Sequence, residues 1–66
     1  MKIERVELND NLSVTESVEP GKIKIIILDG NQGKVSKCNA VNHGYTIIET
    51  VNGKAKRIKF EEYELL

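Results

Sequence analysis

YTIIETVNGKAKRIKF, residues 45–60, carries the clearest structural signal in the chain. Two runs rich in β-branched and aromatic residues flank the dipeptide Asn52-Gly53. Asn-Gly at such a position favours a two-residue type I′ turn, because both central residues of that turn need a positive φ angle. We therefore predict a β-hairpin that reverses direction at Asn52 and Gly53.

The turn also predicts which residues of this hairpin lie opposite each other. An unbroken ladder gives the following pairs: Val51 with Lys54, Thr50 with Ala55, Glu49 with Lys56, Ile48 with Arg57, Ile47 with Ile58, Thr46 with Lys59, and Tyr45 with Phe60. One face would then hold the apolar set Tyr45, Ile47, Ile58 and Phe60, with a Glu49–Lys56 ion pair further out. The opposite face would turn Arg57 and Lys59 toward water, as expected for a half-buried hairpin.

A second hairpin is predicted upstream, after the turn residues Pro20-Gly21. Lys22–Leu28 is too β-branched to favour a helix, and Asp29–Gly33 reads as a loop before a returning strand at 34–40. The expected pairs are Leu28 with Val35, Ile27 with Ser36, Ile25 with Cys38, and Ile23 with Ala40. Because Lys22–Leu28 is apolar on both faces, we expect it to be a central strand, covered by the domain or by a dimer partner.

The N-terminal third suggests a further hairpin, in which Ile3–Leu8 and Leu12–Val18 flank the turn Asn9–Asn11. This pairing sets Glu4 opposite Glu16, which is mildly unfavourable. A short helix starting at the capping box Ser13-Val14-Thr15-Glu16 is the alternative. At the other end, residues 61–66 are compatible with a helical turn or with a continued strand.

These elements predict an all-β fold in one domain spanning residues 1–66. We expect three hairpins in an antiparallel meander, closed into a small barrel or left as a sheet, with a short C-terminal helical turn as an option. A chain of 66 residues buries a smaller fraction of its surface than a longer chain does, so it is usually stabilised further by a disulfide, a metal or a partner subunit. Cys38 is the only cysteine and His43 the only histidine, which excludes a disulfide within the chain and a self-contained zinc site. Because a partner subunit is the source of stability that remains, we expect a homodimer.

Compartment is predicted from two further observations. The longest unbroken apolar run is Ile25–Leu28, which is far too short to span a bilayer, and no signal-peptide pattern precedes it. The single free cysteine suits a reducing compartment. We expect a cytoplasmic protein without a membrane partner.

Residues capable of chemistry are few, and their context argues against catalysis. Cys38 and His43 would need mutual contact and an orienting group to form a nucleophilic dyad, whereas Cys38 is predicted to face the core. Asp29–Gly33 lacks the terminal glutamate of a calcium loop and the Lys-Ser/Thr pair of a phosphate loop. We expect no enzyme activity, no catalytic residues, no metal and no cofactor.

Charge is balanced overall, with ten basic and ten acidic residues, but it is unevenly distributed. Four cations fall within six residues of the last hairpin: Lys54, Lys56, Arg57 and Lys59. They are the candidate contacts for a protein partner or for nucleic acid phosphates. A solvated face, or lysines that protect a sheet edge from aggregation, would produce the same pattern.

Several short motifs resemble a known family. Asn42-His43-Gly44, Asn52-Gly53-Lys54 and Lys56–Phe60 followed by acidic residues resemble the C-terminal half of the small XtrA proteins of Bacillus phage-like elements. Leu8–Thr15 is similar to the way those proteins begin, and the length matches. The resemblance implies a phage or prophage accessory protein of unassigned function and transfers no catalytic residue.

Taken together, the sequence predicts a homodimeric, non-enzymatic interaction module that binds a host or phage protein. The alternative is a nucleic-acid-binding regulator that uses the basic C-terminal hairpin. A protein that binds a small ligand at a dimer seam remains a third class, which the sequence neither favours nor excludes.

Overall fold

Five strands make up the fold in the computed structural model, which describes residues 2–66. They are β1 (Glu4–Val6), β2 (Lys24–Asp29), β3 (Lys34–Asn39), β4 (Gly44–Val51) and β5 (Lys54–Glu62). One sheet has the order β1-β3-β2, the other is the β4–β5 hairpin, and every pairing is antiparallel. The all-β prediction is confirmed, and the open sheets fit a meander rather than a barrel. Residues 2–66 contain no helix, and β5 continues to Glu62, so the optional helical turn in the tail is not formed.

The β2–β3 hairpin has the predicted register. Leu28 lies opposite Val35, Ile27 opposite Ser36 and Ile25 opposite Cys38, while the Ala40 amide donates to the Ile23 carbonyl at 2.9 Å. These are confirmed predictions. The expectation that β2 is the central strand is wrong, however, because β1 occupies the other edge of β3 and leaves β2 at the edge of the sheet.

The predicted N-terminal hairpin is not formed. β1 pairs with β3 instead, with Glu4 opposite Lys37 and Val6 opposite Val35, and residues 12–18 form neither strand nor helix. The turn itself is present, since the Leu12 amide donates to the Asn9 carbonyl at 2.9 Å.

The observed partner also removes a contact between like charges. The predicted hairpin would have set Glu4 against Glu16, whereas the observed fold places the Lys37 ammonium between them. Its nitrogen lies 3.8 Å from Glu4 and 3.4 Å from Glu16. Opposite charges replace like charges across neighbouring strands, which favours the observed pairing.

Glu16 also anchors the irregular segment to β2. Its carboxylate lies 3.2 Å from the ammonium of Lys24, whose side chain is only 14% exposed, and Lys24 also donates to the Ser17 carbonyl at 2.9 Å. The hydrogen bond from Lys24, helped by the charges of Lys24 and Lys37, lowers the pKa of Glu16. Residues after the first turn therefore cover one face of the three-stranded sheet through ionic contacts rather than through a strand.

The apolar core is small. Val35, Cys38 and Val41 are the buried hydrophobic residues of the described chain, at 1%, 5% and 7% exposure. Val35 and Cys38 lie three positions apart on β3 and therefore face opposite sides of the sheet. The side of the sheet that Val35 faces is covered by the N-terminal segment. The side that Cys38 faces is turned toward the β4–β5 hairpin.

The turn of the β4–β5 hairpin is as predicted, because Asn52 and Gly53 have φ angles of 52° and 73°. The pairs Val51–Lys54 and Thr50–Ala55 are also confirmed. Beyond them a β-bulge at Lys56 shifts the register by one residue. The observed pairs are Glu49 with Arg57, Ile48 with Ile58, Ile47 with Lys59, Thr46 with Phe60, and Tyr45 with Glu61. The five predicted pairs from Glu49–Lys56 to Tyr45–Phe60 are therefore wrong.

The bulge has a reason in the sequence of β5. Its apolar residues are Ala55, Ile58 and Phe60, and an unbroken strand cannot place positions three apart on the same face. One extra residue corrects this, as β-bulges do. All three side chains then share a face and are partly buried.

The hairpin consequently has two distinct faces. We call one the inner face, formed by Thr46, Ile48, Ala55, Ile58 and Phe60. The other, the outer face, carries Tyr45, Ile47, Glu49 and Val51 on β4 and Lys54, Arg57, Lys59 and Glu61 on β5. The predicted apolar face is thus divided, because Tyr45 and Ile47 lie on the outer face.

The inner face meets the three-stranded sheet. Ile48, Ala55 and Ile58 line a shared groove with Ile27 and Ser36 of that sheet, and β2 lies against β5. This contact orients the hairpin so that its outer face points away from the rest of the chain.

The molecule is open for its size. Its Cα radius of gyration is 13.3 Å, against about 11 Å for a compact domain of this length. Its accessible surface is 5494 Å², against about 4,200 Å² for a typical folded monomer of similar mass. Its exposed residues include large hydrophobic side chains such as Leu12, Ile23, Leu28 and Tyr45.

Candidate functional site

The four cations predicted as contact residues all lie on β5, beside or after the tight turn. Lys54 and Lys56 are exposed, and the side chains of Arg57 and Lys59 are 64% and 65% exposed. They form one cationic edge of the hairpin. Lys56 belongs to it as the extra residue of the bulge.

Two of the four cations are neutralised within the hairpin. The Arg57 Nε atom lies 2.7 Å from the Glu49 carboxylate, and the Lys59 ammonium lies 3.1 Å from that of Glu61. The predicted Glu49–Lys56 ion pair is wrong, because the bulge brings Arg57 opposite Glu49 instead. Such exposed pairs contribute little to stability, but they reduce the net field of the cationic edge.

The other two cations have no such partner. Among residues 2–66, no carboxylate lies within 4.0 Å of the ammonium of Lys54 or Lys56. The uncompensated positive charge is therefore concentrated beside the turn rather than spread along β5.

An apolar row on β4 adjoins these charges. Tyr45, Ile47 and Val51 alternate along the outer face and are 57%, 40% and 43% exposed. Sequence reasoning missed this surface because it placed Tyr45 and Ile47 in the core. The spacing of the apolar residues on β5 was the signal that could have revealed it.

The C-terminal tail packs against the start of β4. The Tyr63 amide donates to the His43 carbonyl at 2.7 Å, and the rings of Tyr63 and Tyr45 meet edge to face with centroids 5.7 Å apart. Burial, then the hydrogen bond with Tyr45 and the nearby charge of Glu61, raises the pKa of Tyr63. The acidic tail is thereby held at the end of the hairpin opposite its turn.

A carboxylate that the sequence analysis assigned only to a loop joins the two sheets. Asp29, at the end of β2, accepts a hydrogen bond from the Ala55 amide of β5 at 2.8 Å. It also accepts from the Asn31 and Gln32 amides and from the Gln32 side chain, at 2.9, 3.0 and 2.7 Å. These bonds, that of the Gln32 side chain first, lower the pKa of Asp29 to about 2.

Neighbouring loop residues reinforce the same junction. The Asn31 side-chain amide donates to the Gly53 carbonyl, and that of Gln32 donates to the Ala55 carbonyl at 3.2 Å. The loop after β2 is therefore hydrogen-bonded to the turn region of the second hairpin. Nothing in the sequence spacing pointed to this contact, since it joins residues more than 20 positions apart.

Cys38 and His43 occupy different environments. Cys38 is buried beside Ile25, and that burial raises the pKa of its thiol, which disfavours the thiolate. His43 is exposed in the β3–β4 connection. Within the described range, no group of three or more His, Cys, Asp or Glu side chains is placed to hold a metal ion, and no helix is suited to crossing a membrane.

Comparison with known proteins places these features in a family context. The sequence profile described as "Phage-like element PBSX protein XtrA" matches residues 1–66. The uncharacterized protein YqaO of Bacillus subtilis (strain 168) is 38% identical over 56 residues, which cover 85% of this chain and 82% of YqaO. The phage-like element PBSX protein XtrA of the same strain is 36% identical over 52 residues, covering 79% of this chain and 76% of that protein. No solved structure matches the fold significantly.

Proposed function

Because the chain belongs to the PBSX XtrA family of phage-like element proteins, we propose that it is a phage or prophage accessory protein that acts by binding another protein. It works as a homodimer in the cytoplasm of the bacterial host and catalyses no reaction. Its partner is a host or phage protein.

One observation carries this proposal: the chain exposes apolar surface that a protein of its size normally covers. Of residues 2–66, only three hydrophobic residues are buried, whereas the outer face of the β4–β5 hairpin exposes a tyrosine and two aliphatic side chains. Rimmed apolar patches of this kind are typical of protein interaction sites. Burial raises the pKa of the Cys38 thiol, which argues against nucleophilic chemistry at this residue.

Affinity capture from host lysate tests the partner. The tagged full chain is compared with Arg57→Glu/Lys59→Glu and with the matched control Lys2→Glu/Lys22→Glu, which makes the same change in net charge in a cleft that no residue of the β4–β5 hairpin lines. We expect one protein to bind the wild type and the control stoichiometrically, with affinity reduced at least about tenfold in the first variant when purified components are titrated. Equal binding by all three chains, or none by any, contradicts the proposal.

A nucleic-acid-binding regulator is the alternative, and the uncompensated charges of Lys54 and Lys56 favour it. The pairing of Arg57 and Lys59 with carboxylates weighs against it, as does the acidic tail. A DNA or RNA mobility shift at low salt that weakens steeply with added salt, and is lost in Lys54→Glu/Lys56→Glu, would replace the protein-binding proposal.

A further inference from the structure

The edge of β4 that faces away from β5 is left open by the fold. Of the strands in the described structure, only β5 contacts β4. Seven of the eight residues of β4 are exposed, and only Thr46 is half-buried. Edge strands are normally protected by being short, by lysine or proline, by a bulge or by a covering segment. β4 contains no lysine or proline, and the extra residue of the bulge lies on β5.

Two hydrogen bonds show which main-chain groups of β4 point outward. The Tyr63 amide donates to the His43 carbonyl at 2.7 Å, and an antiparallel ladder alternates from there, so the odd-numbered residues of β4 direct their main-chain groups toward β5. The Ala55 amide agrees with this, because it points away from β4 to Asp29 and lies opposite Thr50. The residues of β4 after Gly44 that turn their amides and carbonyls outward are therefore Thr46, Ile48 and Thr50.

These outward groups have no partner within residues 2–66. No main-chain bond outside the ladder reaches them, and the side-chain bonds leave them free as well. The Val41 amide approaches Thr46 but bonds to its hydroxyl, at 3.3 Å. A row of alternating donors and acceptors on every second residue is matched by another extended strand. The occupant that fits this edge is therefore a β-strand.

The opposite edge of the same hairpin is protected at its turn end. The outward amide of Ala55 is bonded by Asp29 at 2.8 Å, and its carbonyl by the Gln32 side chain at 3.2 Å. The next residue, Lys56, is the extra residue of the bulge, which interrupts the ladder. Exposed lysines follow the same edge, as in other protected edge strands. A strand is therefore added more readily to β4 than to β5.

The first sheet leaves the β4 edge accessible. β2 contacts β5, whereas none of β1, β2 and β3 contacts β4, so the first sheet lies on the β5 side of the hairpin. A two-stranded hairpin is also marginally stable by itself, and sheets normally have three or more strands. An added strand would thus complete the second sheet without displacing any described part of the chain.

We propose that this added strand is β4 of a second copy, antiparallel about a two-fold axis at Ile48. The result is a continuous four-stranded sheet in the order β5-β4-β4-β5. Thr46 of each copy lies opposite Thr50 of the other, and Tyr45 lies opposite Val51. This register pairs the outward groups of both strands in about six main-chain hydrogen bonds. The inference rests on the homodimer of the proposed function and names the strand that forms it.

Charge and symmetry favour a second copy as the occupant. Glu49 is the only charged residue of β4, and its carboxylate lies 2.7 Å from the Arg57 side chain of its own hairpin. With the axis at Ile48, Glu49 lies opposite Ile47 of the other copy, so no like charges meet. A two-fold axis uses the same edge on both subunits, and the protected β5 edges then flank the sheet. Pairing therefore stops at a dimer.

Sedimentation velocity on proline variants tests the seam. Ile48→Pro removes an outward amide of β4 and leaves the ladder to β5 intact, since edge strands tolerate proline there. Leu28→Pro is the matched control: the Ala40 amide bonds the Ile23 carbonyl, so the Leu28 amide points outward at the β2 edge. We expect a wild-type dimer at micromolar concentration, a dissociation constant raised at least about tenfold in Ile48→Pro, and no change in Leu28→Pro or Ile48→Val.

Amide hydrogen exchange of the wild type tests the same seam without a substitution. The outward amides of Ile48 and Thr50 should exchange roughly a hundredfold or more slowly in the dimer, because the second copy bonds them. Dilution below the dissociation constant should remove this protection. The outward amide of Leu28 should exchange freely at both concentrations. Unprotected Ile48 and Thr50 amides in a dimeric wild type would overturn the inference, even if Ile48→Pro fails to fold.

The outcomes separate this inference from the proposed function. A wild type that stays monomeric overturns both the homodimer and its seam, while capture of a host or phage protein is decided by its own experiment. A wild-type dimer that a folded Ile48→Pro retains at full affinity overturns the seam alone. Loss of the dimer in Leu28→Pro but not in Ile48→Pro would move the seam to the β2 edge and also overturn it. Circular dichroism establishes that each variant is folded.

Discussion

Gly44 shows how closely the fold depends on one residue at the start of β4. Its φ angle is 139°, a conformation that side chains of L residues rarely adopt. A Cβ atom at this position would overlap the Glu61 carbonyl oxygen and approach the Glu62 Cα atom to 3.0 Å. The contact that excludes a side chain comes from the opposite strand, β5, and not from the residues next to Gly44 in the sequence.

Gly44→Ala should therefore destabilise the protein strongly. Backbone strain and the overlap with β5 together predict a loss of about 3 kcal/mol in the free energy of unfolding. The matched control is Gly30→Ala, whose added methyl would meet nothing within 4 Å. Thermal unfolding followed by circular dichroism measures both, and similar melting temperatures for the two variants would contradict this account.

At the scale of the element, the bulge at Lys56 determines which side chains the second hairpin turns inward. Sequence reasoning located this hairpin and its turn, yet assumed an unbroken strand. The alternation of β4 is ambiguous because Ile47 and Ile48 are adjacent, so the inward set is determined by β5. On β5, the side chains of Ala55, Ile58 and Phe60 can share one face only if one residue between them is left out of the alternation, as the bulge does with Lys56.

Deleting Lys56 should be tolerated for this reason. The shortened strand keeps Arg57 opposite Glu49 and Ile58 opposite Ile48, so the melting temperature should change by only a few degrees, as for surface changes generally. Deleting Lys59 should unfold the protein, because it turns Phe60 outward and Glu61 inward. Circular dichroism melts and amide NMR spectra of both chains test this. Equal damage from the two deletions would show that the bulge has another role.

At the scale of the whole molecule, the two sheets are joined by a few specific contacts rather than by a large core. Asp29 is central among them, because its carboxylate accepts the Ala55 amide while organising its own loop. These bonds lower its pKa from the ordinary 3.8 to about 2. The ionised form is therefore favoured by folding, and the junction between the sheets depends on pH.

The sign of this dependence follows from the lowered pKa. The stability that Asp29 contributes is complete above about pH 4 and is lost as the pH falls toward 2, where the folded state must also take up the proton. Asp29→Asn should thus melt below the wild type at pH 7, and the difference should shrink between pH 4 and pH 2. Asp10→Asn, an exposed carboxylate in the first turn, is the control. A difference that is constant over this range would contradict the proposed role.

Turns and local pairing could be predicted from the chain because they depend on nearby residues. The tight turn of the second hairpin requires positive φ angles, which Asn52-Gly53 adopts more readily than most dipeptides. The β2–β3 register follows from apolar residues that are only a few positions apart. The all-β class was within reach for the same reason. Arg57 and Lys59 are exposed as expected, but the register from which this was predicted is wrong, because the bulge moves both residues to the other face.

The choice between competing long-range contacts depended on the assembled structure. β1 could have paired with the segment after the first turn, and it pairs with β3 instead, which sets Lys37 between Glu4 and Glu16. Likewise, Ala55 and Ile58 line the groove against the first sheet, and they share a face with Phe60 only because of the bulge, which also leaves the row on β4 exposed. Such contacts join residues that are far apart in the sequence, so their energies depend on where the other strands lie. Local sequence patterns do not contain that information.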